Sequence, residues 1–169
     1  SKSGVGVDEF LDGLARFPLA PADVPRMATN GSGDEIELTL TADGPVVGQV
    51  FKTRIDPFVS KMSFVRVFSG TFKKDSSLQV PRLGKSLKIS QLQRVQGGEL
   101  EPVLSAVAGQ IVALVKVEEL KVGDTLATDI GVALPSITFP TPMVGLAVEP
   151  KSQADQTKIS AALQKIEDE

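Results

Sequence analysis

The 169-residue sequence contains no cysteine, no histidine, no tryptophan and no tyrosine. Without cysteine there can be no disulfide, thiolate nucleophile or zinc-thiolate centre, and without histidine the usual general base and the commonest metal ligand are missing. Much enzyme chemistry is excluded on those two absences. The sequence also lacks any run of about 18 uncharged apolar residues and any basic-then-apolar leader, so neither membrane contact nor export is expected, and a cytoplasmic location is. What is present is 41% apolar residues, enough to build the core of one ordinary domain or two small ones.

The net charge of -3 conceals a polarity along the chain. Residues 1–44 hold three Lys/Arg against eight Asp/Glu, residues 45–130 hold twelve against eight, and residues 131–169 hold three against five. Within the basic middle, Gly48 to Arg94 carries ten basic residues and only Asp56 and Asp75 against them. Such an excess seeks anions if the side chains share a face. Arg54, Lys61, Lys73, Lys74, Arg82, Lys85 and Lys88 fall at or near turn signals, where long side chains reach solvent, and are the candidate RNA-backbone contacts.

Periodicity divides the chain. Val7, Phe10, Leu11, Leu14 and Phe17 lie at helical spacing, Asp8 and Glu9 occupy the first turn, and Pro18 and Pro21 stop the helix. Leu19 to Asp34 reads as linker or loop. From Glu35 the period changes to two, and turns recur at ADGP (42–45), SG (69–70), KKDS (73–76), LGK (83–85), QGGE (96–99) and KVGD (121–124). The strand expectations between them are Glu35 to Leu40, Val46 to Asp56, Met62 to Ser69, Ser77 to Pro81, Ser86 to Val95, Ala108 to Glu118 and Thr125 to Ala127, a spacing that suits a small β-barrel. After Leu134 the proline-rich PSITFPTP reads as a connector, Met143 to Glu149 as a short strand, and Ser152 to Asp168 as a helix opened by Ser152 and Asp155. One strand and one helix cannot close a core, so both ends of the chain are expected to belong with neighbours.

Individual motifs have plain structural readings. Asp56-Pro57-Phe58 is a turn device, Phe64 and Phe68 are assigned to the barrel wall, and Gly123-Asp124 is a turn before the last strand. Glu118, Glu119 and Asp124 lack regular ligand spacing and are assigned as solvated loop acids, with no metal site. No catalytic or cofactor-binding residue is proposed.

Several separated stretches, DPF at 56–58, RVFSG at 66–70, GDTL at 123–126 and EPKSQADQTKISAALQK at 149–165, occur together in an order that resembles translation elongation factor G and its relatives among the ribosome-dependent GTPases. The resemblance implies a mainly β chain: residues 1–24 as the C-terminal helix of a GTPase domain, 25–34 as linker, 35–133 as a closed six- to seven-stranded translation-factor β-barrel, and 134–169 as the opening β-α unit of a ferredoxin-like third domain. It further implies a non-catalytic barrel that packs against the GTPase and third domains and contacts small-subunit ribosomal RNA, with GTP and Mg held elsewhere in the longer protein. No GxxxxGK[ST] phosphate loop and no NKxD motif occurs, and SGVG at 3–6 lacks the lysine and the hydroxyl residue. Where the family carries a basic turn, this sequence has the acidic QRVQGGELEPV at 93–103, and AGQ replaces AGD at 108–110. A divergent paralogue in ribosome rescue or protection, or with a non-ribosomal partner, is the alternative.

Overall fold

The computed structural model describes residues 2–56 and 60–167. Pro57 and Phe58 of the expected DPF turn lie outside the described residues. Helix α1 (Val7–Arg16) follows Gly6 in a left-handed conformation, φ 81°, and carries Asp8 and Glu9 in its first turn and Arg16 in its last, each sign complementing the helix dipole. None of its residues is buried, and Phe10, Leu11, Leu14 and Phe17 stand exposed. There follow β1 (Arg26–Thr29), β2 (Glu35–Leu38), β3 (Val47–Asp56), β4 (Ser60–Ser69), β5 (Thr71–Lys73), β6 (Ser77–Val80), β7 (Lys85–Lys88) and β8 (Leu92–Gln96). The last strands are β9 (Glu99–Val103), β10 (Ser105–Val107), β11 (Ile111–Val115) and β12 (Thr125–Ala127), before helix α2 (Gln153–Glu167).

Eight strands form one antiparallel sheet in the order β7-β6-β12-β3-β4-β11-β8-β9, while β1-β2 and β5-β10 form two-stranded pairs. Alternation explains which side each residue takes, since successive side chains in a strand point to opposite faces. In β4, Val65 and Val67 are buried and Phe64, Arg66 and Phe68 are only half-buried. A single cluster then collects Val65 and Val67 with Leu87 of β7, Leu92 of β8, Leu114 of β11, Leu126 of β12 and Phe72 of β5. Residues near both ends of the sheet meet in that cluster, so the sheet curls over one core, and each such buried Val, Leu or Phe contributes about 1.5–3 kcal/mol. Edge strands β7 and β9 are not paired with each other among the described residues.

Several expectations are corrected. The linker at 25–34 contains β1, whose hairpin with β2 is tied down by reciprocal backbone hydrogen bonds between Thr29 and Ala133 at 2.8 and 2.9 Å. The single strand expected at Ser86 to Val95 is two, because Ile89 leaves the ladder to exchange hydrogen bonds with Asp75 and Ser76. The QGGE turn expected at 96–99 is the tip of a β8-β9 hairpin, and the strand not expected is β9, paired in unbroken register from Leu92↔Val103 to Gln96↔Glu99. Met143 to Glu149 is not a strand; Met143, Val144, Leu146 and Val148 are exposed, and a lone apolar segment has no ladder to join. Helix α2 begins where expected, with the Asp155 N–H donating to Ser152 Oγ at 3.2 Å and the Ser152 hydroxyl donating to the Asp155 carboxylate at 2.7 Å.

Candidate functional site

The seven basic residues do not share one free face. Lys61 is 4% exposed, and its ammonium donates to the backbone carbonyl of Glu118 at 3.1 Å, so the surface role expected for it does not hold. A charge taken from water needs such a partner, and the loop after β11 supplies it. Arg82, on the short 3-10 turn Pro81–Leu83, donates from Nε and Nη2 to the two carboxylate oxygens of Asp124 at 2.5 and 2.8 Å, and from Nη2 to the Glu119 carbonyl at 2.8 Å. Asp124 is 4% exposed and also accepts the Lys121 N–H at 2.8 Å, so it is a buried fastener of the KVGD turn rather than the solvated acid expected from sequence. The hydrogen bond that Arg82 donates to Asp124 raises the Arg82 pKa above its ordinary value, outweighing the opposing effect of burial, with the Asp124 charge adding to the rise.

Lys85 is bonded to Glu119 at 2.6 Å, and Lys88 lies 3.6 Å from Asp75. Both pairs are about half exposed, so they are weak, but each sets a carboxylate beside the cation and lowers its draw on an outside anion. What remains is Arg54 near the end of β3 and Lys73-Lys74 at the end of β5, all exposed and in no ion pair among the described residues. The turn that presents Lys73 and Lys74 is held by hydrogen bonds: Asp75 adopts φ 63°, the Ser76 hydroxyl donates to the Lys73 carbonyl at 2.6 Å, and the Lys74 N–H donates to the Leu104 carbonyl at 2.9 Å.

A different surface gathers on the outer side of the sheet. Phe51 is 41% exposed, its ring centroid lies 6.4 Å from that of Phe64, and the Arg26 guanidinium sits 5.6 Å over the Phe68 ring. A shallow groove of about 270 Å³ is lined by Arg26, Gln49, Phe51, Arg66, Phe68 and Ile111, none of them acidic. Phe64 and Phe68 are therefore not inner wall; Phe68 packs against a small satellite cluster of Ala28, Val47, Ala127 and Leu134 rather than the main core. The signal was available in SFVRVFS, where the two valines share one parity and Phe64, Arg66 and Phe68 the other. Gln49 is committed to the fold, donating to the Pro135 carbonyl at 2.8 Å.

The sequence model of the family described as elongation factor G domain 2 matches residues 45–129, which run from just before β3 to just after β12. The chain belongs to the elongation factor G family. It is 37% identical over 166 residues to elongation factor G of Mycoplasma pneumoniae and 33% identical over 171 residues to that of Fervidobacterium nodosum, covering 97% and 100% of this chain. Elongation factor G of Paracoccus denitrificans is 36% identical over 167 residues. The chain spans about a quarter of the length of these relatives, 24%, 25% and 24%. A crystal structure of a Thermus thermophilus protein superposes with a TM-score of 0.72 at 26% identity, over 97% of this chain and 23% of that one. All seven basic residues, and every residue of the outer groove except Arg26, lie inside the matched elongation factor G domain 2 stretch. Among the described residues no group of three or more acids is placed to hold a metal ion, and no helix is long and apolar enough to cross a membrane.

Proposed function

We propose that the chain acts, within a longer ribosome-dependent GTPase of protein synthesis, as the second-domain β-barrel: a non-catalytic body that contacts small-subunit ribosomal RNA and links the GTPase and translocation domains in the cytoplasm. The observation that carries this is the alignment with elongation factor G at 33–37% identity along 95–100% of the chain. The single core beneath strands from both ends of the sheet supports a closed barrel. The uncovered apolar stripe of α1 suits the end of a GTPase domain at residues 1–24, and α2 suits the start of a third domain from residue 134. GTP and Mg do not fit the residues present, since no phosphate loop or guanine-reading motif occurs among the 169, so they belong to the rest of such a protein.

Arg54, Lys73 and Lys74 are the contacts the geometry leaves for RNA phosphate. Each phosphate neutralised releases counterions, so affinity for isolated small subunits should fall steeply between about 50 and 200 mM salt. Replacing all three with Gln should flatten the slope of log affinity against log salt by roughly one per lost contact. Binding that is unchanged across that salt range overturns the phosphate contact.

A second reading rests on the β8-β9 hairpin. Its tip, Gln96 to Glu99, is exposed and carries no basic residue, and Arg94 is paired with Glu101 at 3.3 Å. This favours a divergent paralogue used in ribosome rescue or protection, or with another partner; a translocation assay with the longer protein separates the two readings.

A further inference from the structure

The outer side of β3, β4 and β11 has no role in the function just proposed. Two irregularities build it. Pairing passes from Val47↔Ser69 directly to Gly48↔Val67, leaving Phe68 as the extra residue of β4, and from Val50↔Val65 to Lys52↔Phe64, leaving Phe51 as the extra residue of β3. Bulges re-aim side chains and are retained where that direction matters. Between them the ladder sets Arg66 against Gln49 on one side and Ile111 on the other. Rings and cations thus alternate across three adjoining strands: Phe51 with Phe64, Arg66 in the next row, and Phe68 beneath Arg26.

The groove itself holds charge of one sign, while the hollows beside it are mixed: Glu167 lines the one shared with Phe51 and Lys52, and Asp23 and Glu37 the one shared with Arg26 and Phe68. Lys52 and Arg54 are exposed further along β3, and the groove itself is walled by two arginines and no carboxylate. Two guanidinium groups and half-exposed rings in the groove suit an occupant that is anionic and presents flat π surfaces of its own. Exposed aromatics interleaved with cations on a sheet are the arrangement on which unpaired bases stack while the backbone follows the positive charge. We propose that this aromatic-arginine face binds unstacked RNA bases, with Phe51 as the exposed platform and Arg66, Arg26 and Lys52 meeting the flanking phosphates. This rests on the RNA-contact reading above and adds a second mode to it, stacking on single strands beside phosphate contact by Arg54, Lys73 and Lys74. Because every base has a π face, the site tolerates sequence.

The test uses the 169-residue chain with a fluorescently labelled single strand of about twelve nucleotides and the duplex that strand forms with its complement, read by anisotropy. Phe51→Ala should weaken single-strand binding roughly tenfold and leave duplex affinity unchanged. Phe51→Leu, which keeps apolar bulk without a π face, should do the same if the alanine variant melts early. The double variant K73Q/K74Q should weaken both RNAs together. If both Phe51 variants keep single-strand affinity within about twofold while salt-dependent duplex binding persists, stacking is overturned and the phosphate contact stands. If neither RNA binds, both fail. If Phe51→Ala abolishes self-association in sedimentation and leaves RNA binding untouched, the face is a protein interface and the proposal is overturned.

Discussion

Asp124→Ala tests how the turn before β12 is held. The substitution removes an acceptor that takes Arg82 Nε at 2.5 Å, Arg82 Nη2 at 2.8 Å and the Lys121 N–H at 2.8 Å. Breaking a fully buried ion pair costs about 3–5 kcal/mol, because the stranded charge has no water. Here only one side is dry: the Asp124 side chain is 3% exposed and that of Arg82 is 43% exposed. Water can therefore rehydrate the released guanidinium, and the loss should fall to about 2–3 kcal/mol, most of it from charge-assisted hydrogen bonds of about 1.5–3 kcal/mol each before that offset. At about 4–8 °C per kcal/mol for a folding unit of roughly 100 residues, the span of β1 to β12, Tm should drop by roughly 8–24 °C. With no tryptophan or tyrosine to report by fluorescence, thermal or urea unfolding is followed by far-UV circular dichroism. Lys85→Ala is the comparison, since its bond to Glu119 joins side chains 51% and 47% exposed and should contribute less than about 1 kcal/mol. The reasoning is refuted if Asp124→Ala loses no more stability than Lys85→Ala, or if the Arg82→Ala/Asp124→Ala cycle couples by less than about 0.5 kcal/mol.

Two further substitutions test the assignment of inside and outside. Lys61→Met keeps the apolar stem and removes the buried ammonium, giving up the bond to the Glu118 carbonyl; stability should change by less than about 1 kcal/mol and RNA affinity should not change. A several-fold loss of RNA affinity with intact folding would return Lys61 to the surface. Gly48→Ala would place a Cβ 2.8 Å from Phe72 Cζ and 2.9 Å from the Arg66 carbonyl oxygen, so unfolding should show a loss of about 1–3 kcal/mol. An unchanged midpoint would mean that the bulge beside Gly48 relaxes freely.

Long periodic segments were legible in the sequence because their hydrophobic pattern is local. The stripe of α1, the alternation of β4 and the apolar run of β11 each declare themselves within about ten residues. β1, β5 and β10 are three or four residues long and exist through partners elsewhere, as Phe72 of β5 does through Ala106 of β10. β9 was hidden by Pro102, which argues against an interior strand but is tolerated here because β9 is an edge. The basic stretch misled for a related reason. Counting Gly48 to Arg94 registers ten cations against two acids, but the partners of Arg82, Lys85 and Lys61 lie at 118–124, more than 30 residues away, so a local excess of charge said nothing about which cations were already engaged. Family resemblance located the domain and could not make that distinction either.

The β8-β9 hairpin shows how an acidic tip is compatible with an intact fold. At its base Leu92 is buried in the main core and Val103 packs against it, so the register is pinned there, where slipping by one residue would turn Leu92 outward. Beyond that, Arg94 pairs with Glu101 on the surface, Gln96 faces Glu99, and Gly97 with φ 60° makes the turn with Gly98. A Cβ built on Gly98 meets nothing within 4 Å. Glu99 and Glu101, the charges of QGGELE, are both exposed, while the aromatic face is built on strands whose other side is core and the Arg82-Asp124 fastener joins two turns beside β12. A partner reading the hairpin tip can change without cost to the sheet; one reading Phe51 cannot be changed without touching a bulge residue.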